Sequence, residues 1–173
     1  MVEKSGVEVV PFSVTDIVRN VEKLAAANDC KVQKEVDSFK ERMDCSAMEH
    51  DQLARIAALK LTIKDTMDKT GCRAGAIECW RLFPKEIGIV PCMVVSEMGD
   101  MGIPLACETD LNGAITSVIA DAVALGEGTV FFADLTIRHP ENDNGELLWH
   151  CGPFPYSLRD PSKPARMVNA QAT

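Results

Sequence analysis

Glu108 in "CETD", Asp134 in "FFAD" and His150 in "LLWHCG" are the residues of this sequence whose types and spacing best suit chemistry. Each follows an apolar run, so each is expected where a structured element ends. Two carboxylates and one imidazole arriving from three element ends can bind a divalent ion and leave positions open for substrate. Oxygen ligands with one nitrogen suit manganese, and also accept magnesium, cobalt or iron. The plainer alternative is that acids at strand ends cap a helix or pair with a cation, and that a single histidine is hydrogen-bonded within the core. Cys151 beside His150 has the residue types of a nucleophile pair, but neighbours on a strand point to opposite faces, which argues against it. Arg138 and His139 read as solvated loop charges.

The elements that must position these residues follow from periodicity and turn chemistry. "GVEVVPF" (6–12) reads as a short buried strand, and Ser13 or Thr15 then caps a helix to about Ala27. Residues 30–45 are charged, with weak helical periodicity, and stay unassigned; their charges read as a solvated face. Ser46 and Glu49 have capping-box spacing before a stripe of Leu53, Ile56, Leu59, Ile63 and Met67, and Gly71 supplies the stop. "AGAIECW" (74–80) reads as a buried strand, 92–98 as a short helix and 103–107 as another strand.

Leu111, Ile115, Val118, Ile119 and Ala122 mark one face of the next helix, with Asp110 directly before them as its cap, so Glu108 is surplus to capping. "TVFFA" (129–133) reads as a third strand delivering Asp134. If 103–107 and 129–133 are parallel neighbours, Glu108 and Asp134 both emerge at carboxyl ends of strands, where open α/β sheets bind ligands. "HPENDNGE" (139–146) separates "LTI" from "LLWHC" and predicts a hairpin. Centred on Asn142 it sets Asp134 opposite His150, whereas a tight Asn144-Gly145 turn pairs Asp134 with Pro155.

The expected fold class is therefore α/β, a mainly parallel sheet flanked by helices, followed by a β-hairpin that begins a second, β-rich domain. The expected division is 1–126 for the α/β part and 127–173 for the β-rich part, with "RDPSKPARMVNAQAT" as a polar tail adding little to the core.

A chain of 173 residues, 46% hydrophobic, can bury a core without staples. Its 26 acidic against 18 basic side chains give a net charge of -8, which opposes nucleic acid and anionic membranes as partners. Seven cysteines with no C-x-x-C pair argue against a disulfide frame or a structural zinc site and for a reducing, cytoplasmic setting. The sequence shows neither a signal-like leader nor an apolar run of spanning length, so secretion and membrane insertion are not expected.

"CWRLFPKEIGIVPCMVVSEMGDMGIPLACETDLNGAITSVIADAV", then "FFADLT", then "NGELLWHCG", resembles the L-fucose isomerase and L-arabinose isomerase superfamily, ketol isomerases of free sugars. The resemblance is clearest over 77–155. It implies a manganese ion held by an acid after one strand, an acid after the next and a histidine beyond, positions matched by Glu108, Asp134 and His150. It implies an aldose-ketose interconversion through a cis-enediol, with Glu108 and Asp134 moving the proton between C1 and C2. Trp80 and Trp149 are then candidates to stack on the sugar, although a tryptophan in an apolar strand is more often core.

Members of that family are much longer, and this chain matches only their central α/β domain and the start of their C-terminal domain. The resemblance thus implies a fragment, one piece of a split isomerase, or a shortened relative with a binding or scaffolding role. It also implies a homo-oligomer, trimeric or hexameric, or a partner chain supplying the missing parts.

Overall fold

The computed structural model describes residue 4 and residues 6–169, and helices dominate it. The core forms around α3 (His50–Thr70), which packs against α1 (Val14–Ala27), α2 (Cys30–Arg42) and α5 (Cys92–Asp100). Leu53, Ile56, Leu59, Ile63 and Met67 are all buried, as their spacing requires, together with Ala54, Ala57 and Ala58 between them. The small alanines widen the apolar stripe, so α3 takes neighbours on more than one side. Its capping box joins Glu49 and Gln52 rather than Ser46 and Glu49, because the helix starts at His50, and Gly71 ends it in the left-handed conformation.

Residues 30–42 are a full helix, not only a solvated segment. Asn28 ends α1 at φ 45°, and the Asp29 carboxylate accepts from Lys31 N and Val32 N to begin α2. Val32, Val36 and Phe39 then form a buried stripe one residue wide, outnumbered by the charges on the other faces.

The sheet expected from the apolar runs is much smaller than anticipated. β1 (Gly75–Ala76) and β2 (Leu105–Ala106) form a two-stranded parallel sheet, linked through α4 (Leu82–Ile87) and α5. Gly75 lies so close to Leu105 that a Cβ there would meet its Cδ2 at 2.8 Å. Residues 7–13 form no strand, with Val9 and Phe12 exposed, so the expected first strand is absent. Residues 129–133 are also not a strand: Phe131 packs on Phe154 with ring centroids 5.3 Å apart, and aromatic contact replaces a hydrogen-bonded ladder. A mainly parallel sheet flanked by helices is therefore not observed; the fold is a helical core with a short parallel pair and a separate hairpin.

That hairpin is β3 (Asp134–Arg138) with β4 (Glu146–Trp149), antiparallel and exposed along both strands. Leu135 is 74% exposed and Ile137 64%. The tail contributes more than expected, since Arg166 bridges to Asp44, and Met167 is buried in the core. Among the described residues, no helix is long and apolar enough to cross a membrane.

Glu97 on α5 is buried at 5% exposure. Arg42 of α2 donates to both of its oxygens, at 2.8 and 3.0 Å, and Lys60 of α3 donates to Oε2 at 2.9 Å while also reaching Glu35 of α2 at 2.6 Å. Burial alone would raise the Glu97 carboxyl, but the hydrogen bonds and charges of Arg42 and Lys60 outweigh it and hold the group below its ordinary 4.5. Burial likewise opposes the charged Lys60, and Glu35 and Glu97 overcome it to raise that ammonium above 10.5.

Two stability predictions follow from these buried groups. Glu97→Gln leaves two cations without their common partner and is expected to cost about 3–5 kcal/mol in urea denaturation at neutral pH. Because the folded carboxyl is depressed, its contribution is complete above the unfolded value and is lost as pH falls through the folded one, so the gap between wild type and variant should close in acid. Thr62 Oγ1 is buried without a hydrogen-bond partner. Thr62→Val keeps the shape and removes that orphan, and should raise stability by about 1 kcal/mol on thermal unfolding.

Candidate functional site

β1 and β2 run parallel, so their carboxyl ends open on one side, and the chain leaves them through Ile77–Trp80 and Cys107–Asp110. These two segments are tied together: Ile77 N donates to the Ala106 carbonyl at 2.9 Å, and Thr109 N donates to the Ile77 carbonyl at 3.2 Å. Glu108 therefore does sit beyond a parallel strand end. Its neighbour there is the β1 end rather than 129–133, and the acid that shares the mouth is Glu78. Sequence reading missed Glu78, whose signal was an acid inside the apolar run 74–80. Glu78 Oε2 accepts from Leu82 N at 3.1 Å, so it caps the first turn of α4, and Arg81 pairs with its other oxygen at 3.6 Å.

Glu108 and Thr109 both have φ of 59°. Two consecutive non-glycine residues in the left-handed region, one of them β-branched, store strain of roughly 1–3 kcal/mol each, and such strain clusters where a side chain must be aimed. The turn closes when Asp110 N donates to the Cys107 carbonyl at 3.0 Å, and α6 (Leu111–Val123) starts immediately after. Asp110 occupies the N-cap position as expected, but its side chain makes no capping hydrogen bond. It lies over Gly113, where a Cβ would meet Asp110 Oδ2 at 2.5 Å.

A thiol pair underlies this turn. Cys107 donates to the Cys79 sulfur, both residues being buried, and the Glu108 backbone amide adds a second hydrogen bond to Cys79. The hydrogen bond from Cys107 outweighs burial and brings the Cys79 thiol down to about 7. The same contact, with burial, pushes Cys107 upward.

Asp134 and His150 come from the hairpin. At its tip Arg138 pairs with Glu146 and Ile137 with Leu147, the register of the longer loop. Thr136 is then an extra residue on β3, so Leu135 faces Leu148 and Asp134 faces Trp149 instead of His150. His150 lies one residue past β4, half-buried, with its ring edge-on to Phe132 at 6.0 Å. Its Nδ1 accepts from Cys151 N at 2.9 Å. The Cys151 sulfur also reaches Nδ1 at 3.5 Å, contrary to the opposite-face expectation, because the chain bends after Trp149 and strand alternation no longer applies.

Trp80 and Trp149 are 66% and 54% exposed, so neither has the core role usual for such tryptophans. Glu108 and Asp134 are exposed as well. Among the described residues, no group of three or more His, Cys, Asp and Glu side chains is placed to hold a metal ion. The donor types suit a divalent cation, but within this chain Glu108, Asp134 and His150 do not assemble into a ligand set. They also line neither a cleft beneath Phe131 and Phe132 nor one of about 160 Å³ between Met43, Ile89, Cys92 and Met167.

Comparison with known proteins places this geometry in a context. No family model matches the chain, and no solved structure matches it. Sulfoquinovose isomerase of Priestia aryabhattai is 30% identical over 112 residues, covering 65% of this chain and 25% of that protein. The same enzyme of Priestia megaterium gives the same figures, and that of Alkalicoccus urumqiensis is 30% identical over 104 residues, 60% of this chain and 23% of its own length. The chain thus spans about a quarter of the length of the curated relatives it matches. The similarity supports kinship with sugar isomerases, and it does not single out the L-fucose and L-arabinose isomerase superfamily.

Proposed function

We propose that this chain is part of an isomerase that interconverts the aldose and ketose forms of a free sugar. The observation that carries the reading is the 112-residue similarity to sulfoquinovose isomerases, which makes sulfoquinovose the first sugar to test. The reaction needs a base beside a carbon next to a carbonyl, and a conjugate acid that returns the proton to the adjoining carbon of the cis-enediol. Glu108 is our candidate for that base, on a strained turn at a strand end, with Asp134 as the second acid. Trp80 and Trp149 offer exposed ring faces for the sugar.

A divalent ion, manganese by the donor types, belongs to this reading with Glu108, Asp134 and His150 as its ligands in an assembled isomerase. Such an ion, when bound, supplies charge stabilisation for the enediolate. Because the donors do not converge within the chain alone, we place the completed site in an oligomer or with a partner chain that supplies the remaining segments. The same observation favours a second reading, a non-catalytic sugar-binding or scaffolding domain of isomerase descent.

The test is isotope exchange. Incubation of the chain with sulfoquinovose and manganese in D2O is expected to form a ketose with deuterium at C1, and to place deuterium at C2 of the aldose re-formed by reversal, at a rate lowered about 10²–10⁴-fold by Glu108→Gln. Saturable sugar binding without exchange selects the non-catalytic reading. Neither binding nor exchange with any aldose tested would defeat both.

A further inference from the structure

One face of α5 carries Cys92, Ser96 and Asp100 at steps of four, and each meets the chain that follows the hairpin. Cys92 Sγ lies 3.8 Å from Cys151 Sγ, Ser96 Oγ donates to the Phe154 carbonyl at 2.7 Å, and Asp100 accepts from Ser157 N at 3.2 Å. Residues 151–157 are therefore fastened alongside the helix at three successive turns. Gly152 passes Cys92 at φ +134°, a conformation that L side chains rarely adopt. The two sulfurs, 59 residues apart in sequence, are thus held in contact by bonds that neither of them makes.

This pair is also reachable. Cys151 is exposed, and both cysteines border the cleft of about 160 Å³, which has room for a small oxidant. The other contacting pair, Cys79 and Cys107, is buried on both sides.

We propose that Cys92 and Cys151 form a reversible dithiol-disulfide pair whose oxidant is a small peroxide. The Cys151 sulfur attacks one peroxide oxygen and the O–O bond breaks, leaving a sulfenic acid on Cys151 and releasing one water from hydrogen peroxide. The Cys92 sulfur then attacks the Cys151 sulfur, the S–O bond breaks, and the hydroxyl departs as a second water. Two electrons pass from the two sulfurs to the peroxide, and the two thiol protons end in the waters. A dithiol reductant reverses the bridge by exchange. Closing it shortens the sulfur separation to about 2.05 Å and pins the residue after His150 to the first turn of α5.

The experiment treats the full chain with hydrogen peroxide, counts free thiols, and maps peptides without reduction. Two of the seven thiols should disappear and return with dithiothreitol, with fragmentation assigning the bridge to Cys92 and Cys151 rather than to Cys107. Cys92→Ser should accumulate a dimedone-trapped sulfenic acid on Cys151 that the wild type lacks. Equal trapping in both chains, a bridge between two molecules, or Cys92 still free when Cys151 is oxidised would overturn the proposal. Should Cys92→Ser not fold, the wild-type peptide map decides alone.

Discussion

The carboxylate of Glu97 is the constraint on which the arrangement of this molecule rests. It is buried at a point where α2, α3 and α5 meet, both of its oxygens accept from Arg42 of α2, and one of them accepts from Lys60 of α3 as well. Hydrophobic contacts alone would let α5 slide or rotate against α3 at little cost, since apolar packing is not directional. A buried carboxylate gripped at both oxygens allows one register only. Arg42 is held in turn by Tyr156, whose ring lies 5.2 Å beneath the guanidinium and whose hydroxyl donates to the Arg42 carbonyl at 2.9 Å. The charge cluster thereby fixes the segment after the hairpin as well as the helices. Both the turn at Glu108, reached from α5 through β2, and the contact of Cys92 with Cys151 depend on where α5 sits.

The helices were legible because their ends are written in residues that do specific work. Asp110 before 111–123 and Gly71 after 50–70 mark termini whose bounds the structure keeps. α2 shows only weak helical periodicity in the sequence, which leaves it unassigned although Asp29 marks its start, since three buried side chains among many charges give little periodic signal. The strands expected at 6–12 and 129–133 are absent for a different reason, since a short apolar run satisfies a buried strand, irregular chain and an aromatic contact equally well; those in 74–80 and 103–107 form, but only two residues long. "TVFFA" found partners in Phe154 and His150 through ring contacts, so no ladder was needed. The "GVEVVPF" run has no neighbouring strand, and its side chains remain partly in water.

The site was legible one residue at a time, not as a constellation. Glu108 stands out as a candidate because Asp110, not Glu108, takes the N-cap position of α6, although the Asp110 side chain makes no capping hydrogen bond. No such elimination picks out Glu78, which looks like part of a strand until β1 is seen to end at Ala76. The hairpin shows how small a local feature decides a pairing. At the tip the hairpin takes the longer loop, one of the two alternatives that the turn residues leave open, yet the single extra residue Thr136 moves Asp134 from His150 to Trp149. Bulges carry no strong sequence mark, so register beyond them cannot be counted from the turn.

The exposure of these acids bears on what the chain can do unaided. Removing a proton from a carbon acid is difficult because the enediolate charge must be stabilised as it forms, and bulk water around the site provides no preorganised dipoles for this. Glu108, Asp134, Trp80 and Trp149 all face solvent, and the hairpin bearing two of them exposes Leu135, Ile137, Leu147 and Leu148. An apolar ribbon of that extent is costly in water and gains by being covered. The turn at Glu108 is strained, and such strain persists only where the surrounding structure enforces it. Covering the hairpin would bury Trp149 and exclude water from Asp134 in one step. On the proposed reading, solvent exclusion and site assembly would then be coupled at the hairpin, while the strand-end turn bearing Glu108 is already formed within this chain.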